Sequence, residues 1–224
     1  MESVQKTNND QKSAAPSSAS GVIIQSIGDL PAMPHIAAQV VQKLAIPDST
    51  PQESLWEHSI CCAVGAMHIG SALGYQRLEE VFLAGLMHDI GKSVFFLRVP
   101  EKMRDVISLV NEGKSFWDAE RELLGLTRAE VGRVLTHNWQ FPLVMEDVIA
   151  NQHDPYRAKS DHGLAHMVSV VNSLCHKFNI GLTERPEINP YELQSAKPLH
   201  LGDTVISNIL TLLSDTIAEN RTKI

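Results

Sequence analysis

The chain has few of the residues that hold small extracellular domains together or that bind nucleic acid. Its three cysteines, Cys61, Cys62 and Cys175, have neither the paired spacing of a metal site nor a disulfide framework, so buried free thiols are expected. Basic residues are scarce too, since 19 Lys and Arg stand against 26 Asp and Glu and leave a net charge of −7. Neutralising nucleic-acid phosphates needs clustered basic side chains, so the composition favours protein or small-molecule partners over nucleic acid.

Long apolar runs are also missing at the start of the chain. Residues 1–20 are rich in Ser, Asn, Gln, Lys and Ala, without the continuous apolar stretch of a signal peptide or a membrane-spanning helix. We therefore expect a cytoplasmic protein that does not enter a membrane and that carries a disordered tail over residues 1–25. The sequence likewise lacks a glycine-rich phosphate loop, a heptad pattern and a repeat of fixed period.

Helical periodicity is what the sequence has in quantity. Apolar residues make up 43% of the chain and charged residues 20%, as in an ordinary globular protein. From residue 34 onward the apolar residues recur at helical spacing, and no segment alternates with period two. The expected fold class is therefore all-α.

Capping residues and glycines indicate where the helices begin and end. Thr50 and Glu53 form a capping box that predicts a helix ending at Gly74, and the next helix is predicted over residues 76–90, ending at Gly91. Further helix starts are indicated by Pro34, Pro100, Ser115, Thr127, Pro142, Asp161 and Asp203. Residues 182–202 contain three prolines and are predicted to form a connector with little regular structure.

The sharpest chemical feature is the adjacent pair His88 and Asp89. Imidazole and carboxylate are both ordinary metal ligands. Because neighbouring residues on a helix point about 100° apart, the pair can reach one ion only if another helix supplies more ligands, and His58 is the natural candidate. Taken alone, a His-Asp pair at a helix end is more often a hydrogen-bonded cap than a metal site.

Five stretches, in order along the chain, resemble the HDOD family of bacterial signalling domains. They are LPAMP at 30–34, LWEHS at 55–59, EVFLAGLMHDIGK at 80–92, LGLTRAEVG at 124–132, and WQFP with a later HDP between 139 and 155. The resemblance implies an all-α, HD-domain-like helical bundle. It also implies kinship with HD and HD-GYP phosphohydrolases, whose His and Asp residues hold divalent metals that activate water against a phosphate ester.

The resemblance further implies which hydrolase residues are retained. His58, His88 and Asp89 match retained ligand positions, Lys92 matches the lysine that follows the pair, and His153 matches the second histidine of a double-histidine element. These four histidine and aspartate side chains are the candidate metal ligands.

Three other positions depart from the hydrolase pattern. Arg128 stands where a ligand histidine is common, and a guanidinium has no lone pair to offer a metal. Gln152 replaces the first histidine of the pair, and Asn172 takes the position of the closing aspartate. With the ligand set incomplete, we expect a non-catalytic signal-transduction module without a cofactor, whose partners are signalling proteins such as a kinase, a receiver or a cyclic-dinucleotide enzyme, or a second copy of the chain.

Two other functions remain open. An enzyme would keep His58, His88, Asp89 and His153 around one divalent metal (Fe, Mn or Zn), with Lys92 as the catalytic residue supporting a phosphate oxygen of a nucleotide or cyclic dinucleotide. A binding module would take up a nucleotide without hydrolysing it. The remaining candidate ligands are expected to be surface or hydrogen-bonded polar histidines: His137, His162, His166 and His176.

The resemblance also predicts the domain organisation. Only residues 35–54 separate the first two family stretches, where the family normally has several helices, so a shortened N-terminal lobe is expected over 26–50. An HD-like helical core is predicted over 51–180, followed over 181–224 by a connector and an amphipathic C-terminal helix.

Overall fold

A computed structural model describes the backbone of residues 51–221 and the side chains of residues 54–215. Within these ranges the regular secondary structure is helical, without a strand. The α-helices of this part are α1 (Pro51–Ala72), α2 (Leu78–Met87), α3 (Ile90–Arg98), α4 (Pro100–Asn111), α5 (Phe116–Leu124), α6 (Arg128–Asn138), α7 (Leu143–Asn151), α8 (His162–Lys177) and α9 (Asp203–Arg221). The all-α prediction is confirmed. The predicted tail, the N-terminal lobe and the helix at Pro34 lie outside the described residues.

Helix α1 is the centre of the bundle and packs against α2, α8 and α9. Small side chains on α1 allow α2 to come close: a Cβ added at Gly85 of α2 would lie 2.6 Å from the Cα of Ala63. The three thiols, Cys61, Cys62 and Cys175, are buried and free, as predicted. Leu73 lies just past the end of α1 and is 42% exposed.

The prediction of one helix from residue 76 to Gly91 was wrong. Helix α2 ends at Met87, and a second helix, α3, begins at Ile90 after a break at His88 and Asp89. Gly91 is not a helix end; it lies in the first turn of α3, where a Cβ would overlap the backbone carbonyl of Arg128. The glycine therefore lets α3 cross α6 at backbone contact.

Several predicted helix starts are confirmed by their capping contacts. The Ser115 side chain accepts a hydrogen bond from the backbone N–H of Asp118, and Thr127 forms a capping box with Glu130. Asp161 caps α8 by accepting from the N–H of Leu164. The Thr127 cap is what starts α6 at Arg128, and it thereby fixes the position of that side chain.

The connector after α8 is more ordered than predicted, because it contains two 3₁₀ helices, Pro190–Glu192 and Gln194–Leu199. Beyond it, α9 packs on α1 and buries Ile206, Ile209 and Leu213, which confirms the amphipathic pattern of the C-terminal helix. None of the helices between residues 51 and 221 combines the length and the apolar character that crossing a bilayer requires.

Candidate site at the His88-Asp89 pair

Helix α1 and the break between α2 and α3 bring three of the candidate ligands together. His58 comes from the second turn of α1, while His88 and Asp89 form the break. The Nε2 atoms of His58 and His88 lie 3.2 Å apart, and Asp89 Oδ2 lies 3.8 Å from the first and 3.6 Å from the second. All three side chains are buried, so the break in the helix creates an enclosed polar cluster in the core.

The carboxylate of Asp89 is already paired with two cations. Arg128 Nε donates to Asp89 Oδ1 at 2.8 Å, and Lys92 Nζ lies 2.6 Å from Asp89 Oδ2. Asp89 occupies the N-cap position of α3, yet its side chain makes no capping hydrogen bond, so the cap interpretation fails for Asp89. It holds for His88, the C-cap residue of α2, whose Nδ1 lies 2.8 Å from the backbone carbonyl oxygen of Gly85. The carboxylate instead serves as counter-ion for Lys92 and Arg128.

A second acid completes the arrangement. Glu120, on the buried face of α5, accepts from the backbone N–H of Arg128 at 2.9 Å, and its Oε1 lies 3.2 Å from Arg128 Nη1. Asp89, Lys92, Glu120 and Arg128 together form a buried charge quartet with two positive and two negative groups. The ring of Phe116 covers the cations, with Lys92 Nζ 4.1 Å from its centroid.

The quartet also determines the protonation of its members. Burial by itself would raise the pKa of the Asp89 carboxyl, but Lys92, His88 and Arg128 outweigh it and hold that pKa well below its usual range. Burial lowers the pKa of the Lys92 ammonium, against the opposing effect of Asp89. Asp89 is therefore charged in the folded protein, and Lys92 and Arg128 balance its charge.

Two of the three residues that depart from the hydrolase pattern, Gln152 and Arg128, take structural roles around the cluster. Gln152 Nε2 donates to the backbone carbonyl of His88 and so supports the helix break. Among the described residues, no hydrogen-bond donor reaches Gln152 Oε1 or Asn172 Oδ1, although both atoms are buried. Arg128 does more than remove a donor, because it places a fixed positive charge against Asp89.

The fourth candidate ligand, His153, lies apart from the other three. Its ring stacks on Trp117, with centroids 3.9 Å apart, and the side chain is exposed. The structure thus groups His58, His88 and Asp89 with Lys92, and leaves His153 at the surface. Metal binding by any of them stays a prediction.

Sequence reasoning missed four side chains of this region. Cys62 Sγ lies 3.7 Å from both His58 Nε2 and Cys175 Sγ, and the His176 ring lies 5.1 Å from the His58 ring. The i, i+4 spacing of His58 and Cys62 was an available signal. So was the position of Glu120, midway between two apolar residues at helical spacing, where a charged side chain needs a buried partner.

The donor set does not fit a carboxylate-bound hydrolytic metal. A divalent ion on Asp89 would have to compete with an ammonium and a guanidinium within 2.8 Å of the same carboxylate. His58 and His88 also belong to a nitrogen and sulfur set with Cys62, whose ligand atoms all lie within 4.8 Å of one another and which does not depend on the carboxylate held by Lys92 and Arg128. We therefore derive no hydrolytic step for this cluster.

Stability is expected to decrease between about pH 6.5 and about pH 4 because of His176. Burial, and then Lys92, lower the pKa of His176 to about 4, so in this range the unfolded chain binds a proton that the folded chain does not. The free energy of unfolding should fall with decreasing pH at up to about 1.4 kcal/mol per pH unit from this residue. Urea unfolding across the range should show a shallower slope for His176→Asn. The exposed His137→Asn variant is the control, and an unchanged slope in His176→Asn would contradict the assignment.

The fold and the buried His-Asp pair at a helix break are those of an HD-like domain. Sequence comparison identifies the family within this class. The sequence model of the HDOD domain matches residues 36–155, and the chain belongs to that family. No curated protein matches the sequence.

Three solved structures have the same fold. An HDOD domain protein of unknown function from Geobacter sulfurreducens is 20% identical, with a TM-score of 0.66 over 90% of this chain and 95% of that one. A candidate phosphohydrolase from Shewanella amazonensis is 17% identical, with a TM-score of 0.60 over 88% and 94% of the two chains. A candidate signal transduction protein from Marinobacter aquaeolei is 19% identical, with a TM-score of 0.62, and here 92% of this chain covers 58% of the other. At these identities the likeness concerns the fold.

Proposed function

We propose that this HDOD domain is a non-catalytic regulatory module of bacterial cytoplasmic signal transduction that acts through contacts with other proteins. The observation that carries the proposal is the pairing of Asp89 with Lys92 and Arg128. A hydrolase of the HD type needs that carboxylate to hold a metal and to lower the pKa of the metal-bound water. Here the same carboxylate neutralises two side chains of its own chain.

Enclosure of the cluster supports the same conclusion. His58, His88, Asp89 and Lys92 are each 1% exposed or less. Hydrolysis requires the phosphate ester to touch the metal and its water. In this arrangement a nucleotide has no approach to Asp89, and Lys92 has its ammonium on Asp89 rather than on a substrate oxygen.

The first test is whether the protein hydrolyses a phosphodiester. Phosphodiester hydrolysis of a chromogenic phosphodiester and of a cyclic dinucleotide, assayed with Mn²⁺, Mg²⁺ or Fe²⁺, is expected to stay at the rate of the folded Asp89→Asn variant. An HD-GYP phosphodiesterase serves as the positive control for the assay. Metal-dependent turnover by the wild type that Asp89→Asn removes would overturn the proposal.

The second test is the identity of the partner protein. We propose a signalling protein, namely a kinase, a receiver or an enzyme of cyclic-dinucleotide metabolism. A complex recovered from the native host should contain such a protein, and adding the purified chain should change its activity. Sedimentation of the chain alone tests whether a second copy is the partner instead. A chain that stays monomeric and changes the activity of no signalling protein recovered with it would contradict the proposal.

A further inference from the structure

We propose that His58, Cys62 and His88 form a binding site for a thiophilic metal ion, specifically zinc(II). This inference goes beyond the proposed function and does not depend on it. The donors that define the site are two imidazole nitrogens and the Cys62 thiol, not the carboxylate of Asp89. The ion would tie α1 to the break after α2.

The distances between the donor atoms agree with tetrahedral coordination. Zinc binds imidazole nitrogen at about 2.0–2.1 Å and thiolate sulfur at about 2.3 Å, so tetrahedral ligands stand about 3.3 Å apart for two nitrogens and about 3.6 Å apart for nitrogen and sulfur. His58 Nε2 and His88 Nε2 are 3.2 Å apart. Cys62 Sγ is 3.7 Å from His58 Nε2. The third edge, from Cys62 Sγ to His88 Nε2, is at most 4.8 Å, so all three donors lie close enough to converge on one ion.

The orientation of the two imidazole rings is the second observation. His58 Nδ1 lies 2.8 Å from the carbonyl oxygen of Ile180, and His88 Nδ1 lies 2.8 Å from that of Gly85. A carbonyl oxygen only accepts, so each Nδ1 carries the hydrogen and donates it. The neutral rings therefore direct two unprotonated Nε2 lone pairs at each other.

Two facing lone pairs at this distance repel each other, and a cation between them removes the repulsion. Complete burial disfavours an imidazolium as that cation, because it would place an additional charge in a low-dielectric core. A metal ion resolves the conflict with the rings as they stand. Imidazoles that donate Nδ1–H to a backbone carbonyl and turn Nε2 inward are the usual arrangement around protein-bound metals.

The chemistry of the donors selects a soft ion. Asp89, the hard oxygen donor nearby, is held by Lys92 and Arg128. Nitrogen and thiolate donors favour zinc over magnesium, manganese or calcium. Two neutral imidazoles and the Cys62 thiolate would hold zinc(II), with the ion replacing the thiol proton.

Cobalt(II) and zinc(II) are the probes for the test, with the reduced full-length chain refolded in the presence of each ion so that burial does not prevent loading. We expect one cobalt per chain, with a near-ultraviolet thiolate-to-cobalt charge-transfer band and the visible bands of tetrahedral cobalt. Zinc should displace cobalt and abolish both. Circular dichroism of each sample confirms that it has refolded.

Variants assign the ligands. Cys62→Ser and Cys62→Ala should each lose the charge-transfer band and weaken zinc binding by at least about 100-fold, more than the loss of an outer-shell partner costs. Cys61→Ala, the adjacent buried thiol, is the matched control and should keep both properties. Asp89→Asn should keep the band as well.

Three outcomes would overturn the proposal: refolded protein that binds neither ion, a cobalt spectrum without the thiolate band, or a band that survives both Cys62 substitutions. Turnover of a phosphodiester would refute the proposed function and leave this site standing. Conversely, failure to bind zinc leaves signalling by protein contact unaffected, so the two inferences fail separately.

Discussion

Replacing Arg128 by Met is expected to lower the free energy of unfolding by about 3 to 5 kcal/mol, the usual cost of removing one partner of a buried ion pair. Arg128 is 8% exposed and reaches both acids of the quartet, with Nε on Asp89 and Nη1 on Glu120. Methionine fills much of the same volume, so the loss measures charge more than packing. After the change, Lys92 is the one cation of the quartet that remains to neutralise two buried carboxylates.

Urea unfolding followed by circular dichroism measures the effect. Arg133→Met, an exposed arginine of the same helix, is the control and should change the stability by no more than about 0.5 kcal/mol. Adding Glu120→Gln to Arg128→Met should recover part of the loss, because it removes one of the two carboxylates left without a counter-ion. A loss for Arg128→Met as small as that for the control would show that the quartet does not stabilise the fold.

Replacing Asp89 by Asn should destabilise the protein by a similar amount, about 3 to 5 kcal/mol. The amide keeps the shape of the carboxylate but leaves Lys92, which is 1% exposed, without the acid at 2.6 Å. Arg128 retains only Glu120. Asp105→Asn, an exposed change on α4, is the matched control and should have little effect on stability.

Most of the fold could be predicted from the sequence because helix ends have a local chemistry. Ser115, Thr127 and Asp161 cap their helices through contacts within three residues along the chain, and such contacts are visible in the sequence. The all-α class followed from the apolar spacing in the same way.

The break at His88 and Asp89 could not be predicted in this way. A glycine that follows an apolar helix usually marks the end of that helix, so the sequence predicts a helix end at Gly91. Its actual role is tertiary: it allows backbone contact with Arg128, which is 37 residues further along the chain. Periodicity contains no information about which helices cross, so this role became visible only in three dimensions.

The site was predictable in part. The resemblance indicated which residues to consider, and His58, His88 and Asp89 do lie together. In the sequence, Arg128 is visible only as the loss of a metal ligand. The structure adds that Arg128 supplies a positive charge to Asp89 and that Glu120 balances that charge. Pairing between side chains from different helices is what the linear pattern left undetermined.

The role of Arg128 gives the proposed absence of hydrolysis a physical basis. In an HD hydrolase the metal provides the positive charge next to the aspartate, whereas here a guanidinium and an ammonium provide it. Unlike a metal ion, neither group can bind and activate a water molecule as a nucleophile. The arrangement is consistent with an HDOD domain that keeps the HD fold as a scaffold for contacts.

The most direct test of this account is the stability of Asp89→Asn measured twice, once with a chelator and once with saturating Mn²⁺. If Asp89 is the counter-ion of Lys92 and Arg128, the variant loses about 3 to 5 kcal/mol relative to the wild type in both conditions. If Asp89 is a metal ligand instead, Mn²⁺ stabilises the wild type alone, and the difference between the two proteins disappears in the chelator. That second result would contradict the account.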